Sequence, residues 1–425
     1  MRQTYSALTD FAACSSSPFF KEAAVTETYI ILRDVTPSTA GPFFGTLGTL
    51  GTEAARPADA AVQFTTELKE MGHAQLAQVV AQKDVRGAAP SMPIKLIVPV
   101  DTGPSSTVQP KSTNISWGVT AVGADTSPFG GTGVVVAVLD TGIDRTHPAF
   151  AFLGGALVEK DFTGEGNGDT NGHGTHCAGT IFGADVSGIR IGIARGVKKA
   201  LIGKVIGKSG GVSGNIVKAI EWAQDEGANV ISMSLGMDFP GYVAGLTAQG
   251  IQQNAAVSKA LEGYRANVSL FERLASLVRS KSNITQPTII IAAAGNESKK
   301  PTYDIAVAPP AVSEGFISVA AVGQDTAGLR IAPFSNIGAN IAAPGIDIIS
   351  AKVGGGLASK SGTSMATPHV AGVAALFMQK LVASGLTATA SQLSAMVLAS
   401  AGTQALATGF SPLDVGSGLI RAPQS

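Results

Sequence analysis

Five apolar runs limit what this chain can fold into. They are GVVVAVLD at 133–140, KALIGKVIG at 199–207, ANVISMSLG at 228–236, TIIIAAAGN at 288–296 and GFISVAAVG at 315–323. Each is close to continuously apolar instead of alternating, as expected of strands covered on both faces, the usual condition of a parallel sheet. Helical patterns lie between them. One is GNIVKAIEWAQDEG at 214–227, where Gly227 supplies a helix stop. Strands alternating with helices require crossovers, so the expected fold is α/β: a doubly wound, mostly parallel sheet with helices on both faces. Such sheets do their chemistry at the carboxyl ends of the strands, and Asp140 and Asn296 each end a run. With 45% hydrophobic and 14% charged residues, a chain of 425 residues can fill the core this fold needs.

The N-terminal quarter has a different character. Residues 1–25 are expected to form a flexible tail. Residues 26–101 suggest a small α+β unit: a strand at 26–35, helical periodicity over 61–82 with Leu68, Met71, Leu76 and Val79 facing inward, and a second strand, PIKLIVPVD, at 93–101. Residues 102–115 are rich in Pro, Ser and Thr and predict an exposed linker. The large domain occupies 116–425. Lys plus Arg equals Asp plus Glu, at 30 each, so no electrostatic feature calls for a nucleic-acid partner. No run has membrane-spanning length, which excludes a membrane partner by span. Residues 1–25 contain no continuous apolar stretch of the kind a secretory leader needs. The compartment is therefore unassigned, either intracellular or reached by another export route. Two cysteines, Cys14 and Cys177, do not make a disulfide framework.

Taken singly, the polar residues near the strand ends are ambiguous. Asp140 and Asn296 suit turns. His173 and His176 in NGHGTHCAGT (171–180) raise a metal question, but the HExxH spacing is absent. Ser364 in KSGTSMATPHVAGVAALF (360–377) could simply open a helix. Taken together, DTGID, HGTHCAGT, SMSLG, AAAGN and SGTSMATPHVAG, in that order, resemble the subtilisin-like serine peptidases, or subtilases. The resemblance runs from about Ser116 to the C-terminus.

That resemblance implies a serine endopeptidase working through an acyl-enzyme. Ser364 would be the nucleophile, His173 the general base, Asp140 the group that orients His173, and Asn296 the oxyanion donor beside the Ser364 backbone N–H. His176 and His369 would be structural, and Cys177, one helical turn past His173, a structural free thiol. Polypeptide substrates would lie extended between two edges, Ser209, Gly210 and Gly211 on one side and Ser234, Leu235 and Gly236 on the other. Val307 would stand at the floor of the main side-chain pocket and favour small or medium apolar residues. The N-terminal unit resembles the family's propeptide, which implies an inhibitor of its own enzyme, removed by self-cleavage in the linker between about Val100 and Ile115. No cofactor is required and no metal residue is assigned. Calcium would be structural, and Ala149 stands where calcium-binding members carry an acid soon after the catalytic Asp. The stretch between Gly236 and Asn296 is about sixty residues, longer than in compact members, and predicts extra surface helices at 253–282.

Overall fold

The computed structural model describes residues 26–36, 63–100, 114–282, 286–385 and 388–425. The tail 1–25, with Cys14, and most of the expected linker lie outside the described residues.

The N-terminal unit contains strand β1 (Glu27–Asp34), strand β2 (Phe64–Met71), helix α1 (His73–Val80) and strand β3 (Val85–Pro90). The strands form an antiparallel sheet in the order β2-β1-β3. The helix expected over 61–82 is therefore half strand. Leu, Glu, Lys and Met are good helix formers, but all of β2 pairs with β1, from Glu27 opposite Met71 to Asp34 opposite Phe64, and this tertiary ladder overrides local preference. Only after Gly72 does the helix begin. Strand β4 (Pro93–Leu96) follows and leaves this sheet altogether.

The large domain opens on a short helix, α2 (Trp117–Ala121). Strands β5 (Val135–Asp140) and β6 (Leu157–Asp161) precede helix α3 (His173–Phe182). Strand β7 (Lys199–Lys204), the two-residue strand β8 (Gly211–Val212) and helix α4 (Ser213–Asp225) come next. After strands β9 (Val230–Met233) and β10 (Leu235–Met237) come the inserted helices α5 (Phe239–Ala248) and α6 (Gln253–Ser282). Strands β11 (Ile289–Ala293), β12 (Phe316–Asp325), β13 (Gly328–Ile331) and β14 (Ile341–Pro344) complete the main sheet. A hairpin of β15 (Ile348–Ala351) and β16 (Leu357–Lys360) leads into helix α7 (Thr363–Ala383), then α8 (Ala390–Ala399).

The eight-stranded sheet has the order β13-β12-β11-β9-β5-β7-β6, with β14 beside β12, and every ladder except that of β13 is parallel. Alternate residues of β5 explain its continuous apolarity. Val136 and Val138 join one core with residues of α3, α7 and α8, while Ala137 and Leu139 join the opposite core with α4 and α6. The expected doubly wound α/β fold is present. Helix α6 has the expected bounds, but it is not merely superficial: Leu270, Phe271 and Leu274 are buried.

Candidate active site

The site is built at the carboxyl ends of β5 and β11 and the N-terminus of α7. Asp140 is the last residue of β5 and is buried. Its Oδ1 accepts from the Thr141 N–H at 2.8 Å and lies 2.8 Å from Nδ1 of His173, the first residue of α3. Helix α3 can come this close to the strand end because Gly174 has no side chain: a Cβ there would collide with the Gly142 carbonyl oxygen.

A residue not anticipated from sequence holds the two parts together. Buried Asp169 accepts from Thr141 Oγ1, from the N–H groups of Asn171, Gly172 and Thr175, and from Thr175 Oγ1. Burial alone would raise its pKa, but these donors, led by the Thr175 hydroxyl, outweigh burial and hold the carboxyl below its ordinary value. Its sequence signal was only an Asp shortly before a helix start.

Ser364, fully buried, is the second residue of α7, where a backbone N–H has no partner within the helix. Its hydroxyl donates to the Ile97 carbonyl at 2.8 Å. His173 Nε2 is buried and has no hydrogen-bond partner among the described residues. Asn296 follows β11 closely. Its Oδ1 accepts from both Thr363 N–H and Thr363 Oγ1 at 2.9 Å, which turns its Nδ2 toward the cleft, where it donates to the Val98 carbonyl at 3.0 Å.

Pro368 interrupts the first turns of α7. It is the sixth residue of α7, and its missing N–H leaves the Ser364 carbonyl without an i+4 partner. Two buried side chains replace that partner: Ser234 Oγ at 3.2 Å and Cys177 Sγ at 3.4 Å. Ser234 therefore faces the helix and not the cleft. The same Sγ lies 3.8 Å from His173 Nδ1, so one thiol borders both His173 and Ser364. Burial, and after it the Asp140 charge, push this thiol well up in pKa, so it stays protonated. Asp140, His173 and Cys177 are also the one group among the described residues close enough to share a metal ion. A protonated thiol and an imidazole already bonded to the carboxylate fit a metal poorly. Ala149 is buried and offers no side-chain ligand for calcium.

His176 Nε2 bonds the carbonyls of Ile348 (2.9 Å) and Ala358 (3.1 Å), and His369 Nδ1 bonds that of Met365 (2.8 Å). Burial lowers their pKa values to about 3 and about 4. Neither reaches the cleft residues through these bonds.

The cleft is occupied by the chain itself. Strand β4 runs antiparallel between β8 and β10, with Ile94 opposite Gly211, Lys95 opposite Gly236 and Leu96 opposite Leu235. Gly210 borders the same strand: a Cβ there would approach the Ile94 carbonyl at 3.2 Å. Ser209 is exposed on the preceding turn. Ser213 extends the pairing, donating its N–H to the Met92 carbonyl and accepting the Met92 N–H on Oγ. Ile97 is buried, and a Cβ on Gly236 would lie 3.7 Å from its side chain. Buried Val307 joins the core that includes Leu235 and Ile94. The second strand of the N-terminal segment thus belongs to the cleft, because its partners are distant edges and not β1.

Residues 131–418 match the model of the subtilase family. The chain belongs to the subtilase family. Among its relatives, the thermophilic serine proteinase of Bacillus sp. (strain AK1) is 32% identical over 281 residues, covering 64% of this chain and 56% of the relative. Subtilisin DY of Bacillus licheniformis is 33% identical over 63% of this chain and 85% of its own length. M-protease of Shouchella clausii (strain KSM-K16) is 35% identical over 63% of this chain and 60% of its own length. The match contains Asp140, His173, Asn296 and Ser364 and leaves residues 26–100 outside it.

Proposed function

We propose that this subtilase is a serine endopeptidase, made as a precursor whose N-terminal unit is cut off by Ser364 and then inhibits the cleft it vacates. Ser364 Oγ attacks the carbonyl carbon while His173 Nε2 takes its proton. Asp140 fixes the His173 tautomer through Nδ1–H and stabilises the imidazolium. The Asn296 amide and the Ser364 N–H receive the oxyanion, aided by the positive end of α7. His173 then protonates the leaving amine, and water releases the acyl group by the same route. Nucleophile, base and oxyanion donors are all side chains or backbone of this chain, so the proposed hydrolysis calls for no cofactor.

The observation carrying this reading is that Ile97 O accepts from Ser364 Oγ while β4 lies in the cleft as an extended peptide. Two bonds are near the nucleophile, since Asn296 meets the next carbonyl, that of Val98. We assign the cut to Ile97–Val98. Cutting after Val98 would have to expel a proline nitrogen, and Ile97 is the residue whose side chain is buried beside Gly236, whereas that of Val98 is exposed. The Asn296 amide then moves to the Ile97 oxygen as charge develops, as catalytic hydrogen bonds commonly tighten only on the way to the transition state. This puts the cut upstream of the expected 100–115, of which 101–113 lie outside the described residues.

The test is refolding of the purified full chain followed by N-terminal sequencing and intact mass. The expected new terminus is Val98. A stable full-length chain that hydrolyses added peptides would remove the precursor reading, and absence of all hydrolysis would remove the endopeptidase reading.

A further inference from the structure

We propose, building on the endopeptidase reading above, that Asp238 and Glu297 form a subsite selecting a lysine or arginine at the third residue before the cut bond. With the cut after Ile97, that residue is Lys95. Its Nζ lies 3.5 Å from Asp238 Oδ1 and 3.9 Å from Glu297 Oε1. The two acids come from separate segments of the chain, Asp238 just past β10 and Glu297 just past Asn296.

Both carboxylates are also held by groups other than Lys95. Asp238 is the N-cap of α5, where its side chain accepts from the Gly241 N–H, and its own N–H donates to the Pro93 carbonyl at 2.9 Å. The same residue therefore fixes the substrate backbone and faces its side chain. Glu297 donates its N–H to Asn336 Oδ1 at 3.1 Å, and its Oε2 accepts from Asn336 Nδ2 at 2.8 Å. Its other oxygen is the one turned toward Lys95. The ladder fixes the register, because Lys95 stands opposite Gly236, which has no side chain to compete for the space between the acids. A neutral residue would forgo both attractions, and an acidic one would meet two like charges.

The three side chains retain 42%, 30% and 39% of their exposure, so water and salt screen the pairing. Selection should accordingly be several-fold and not absolute: about fivefold for Lys over Glu at low ionic strength, the scale of partly exposed ion pairs.

The experiment is a competition in one sample between a peptide of sequence 92–100 and its Lys95→Glu counterpart, with the purified full chain as enzyme. The ratio of cleavage rates does not depend on how much enzyme is free of its own N-terminal unit. The expected ratio is about fivefold at low salt, approaching unity in concentrated KCl and in the Asp238→Asn, Glu297→Gln double variant. Asn still caps α5 and Gln can still accept from Asn336, so the fold is spared. Equal rates at low salt overturn the subsite while leaving the endopeptidase reading intact. A preference that survives in the double variant overturns the assignment to these two acids. Cleavage of neither peptide overturns the endopeptidase reading and the subsite with it.

Discussion

The N-terminal sheet and the catalytic sheet obey the same packing rule with different means. In β5, alternate residues feed two cores, and both covers come from the large domain itself. In β1, Tyr29 and Ile31 pack with Met71 and Val79 into a small core under α1, while Ile30 and Leu32 join the core that contains residues of α4 and α6. The small unit thus covers one face of its sheet and borrows the cover for the other. A three-stranded sheet with so small a core of its own is marginal alone. Docking completes its fold and delivers β4 to the cleft, so occupancy of the cleft and folding of this unit are one free-energy term.

The largest effect separates the two regions covalently. Ser364→Ala should lower peptide hydrolysis on the order of 10⁶-fold, the loss that follows removal of the nucleophile in subtilisin. It should also leave the two sheets on one chain, read as full-length intact mass. Residual hydrolysis at the wild-type rate would sink the assignment. Asn296→Ala should come next, lowering kcat by roughly 10²–10³ with little change in KM, since the amide acts on the developing oxyanion. A loss confined to KM would make Asn296 a ground-state contact with the Val98 carbonyl and nothing more.

A third change tests the borrowed face. In a Ser364→Ala background, Ile30→Ala removes buried apolar contacts at the docking face. Truncations of this kind cost about 2–5 kcal/mol. The fraction of undocked unit should rise by about 30-fold or more, seen as faster trypsin cleavage within 63–97 while the large domain stays intact. Glu70→Ala, on an exposed position of β2 and not itself a trypsin site, is the control and should leave the cleavage rate unchanged. Equal effects of the two would mean that the small unit does not depend on the shared core.

The same contrast explains what could be read from the sequence. The five apolar runs are buried on both faces, so their continuous apolarity revealed them whichever elements provide the cover. The candidate site residues Asp140, His173, Asn296 and Ser364 were legible because their surrounding words are distinctive. Strand β2 was not, since Leu68 and Met71 fit a helix equally well and only the β1 ladder decides between the two. Strand β4 was legible as a strand, and a propeptide's place between the edges at 209–211 and 234–236, implied by the resemblance, is where β8 and β10 flank it. What was not legible was that it leaves the β1 sheet altogether, because that pairing is non-local. Asp169 and Asp238 escaped notice because a carboxylate that organises a loop looks in sequence like one that faces water.

The smallest effect concerns pH, and again it divides the two regions. His176 and His369 are buried in the large domain, with pKa values lowered to about 3 and about 4 chiefly by burial. The N-terminal unit has no counterpart among its described residues, because His73 is exposed. An unfolded histidine titrates near 6.5, so between about pH 6.5 and 4 the unfolded chain takes up protons that the folded domain refuses. Stability is therefore present above pH 6.5 and falls as pH drops, by up to about 1.4 kcal/mol per pH unit for each histidine. Below their folded pKa values the loss from these two ends. Asp169 acts later: its lowered pKa means that its contribution is lost only as acid goes below the ordinary carboxylate range. The measurement is the urea midpoint of the large domain in the Ser364→Ala chain, which avoids self-digestion, at pH 7, 6 and 5. His369→Gln keeps a donor for the Met365 carbonyl but cannot titrate, so it should remove about half of the decline between pH 6 and 5. A decline as steep as in the parent would show that other groups, and not the buried imidazoles, set the acid limit of the catalytic sheet.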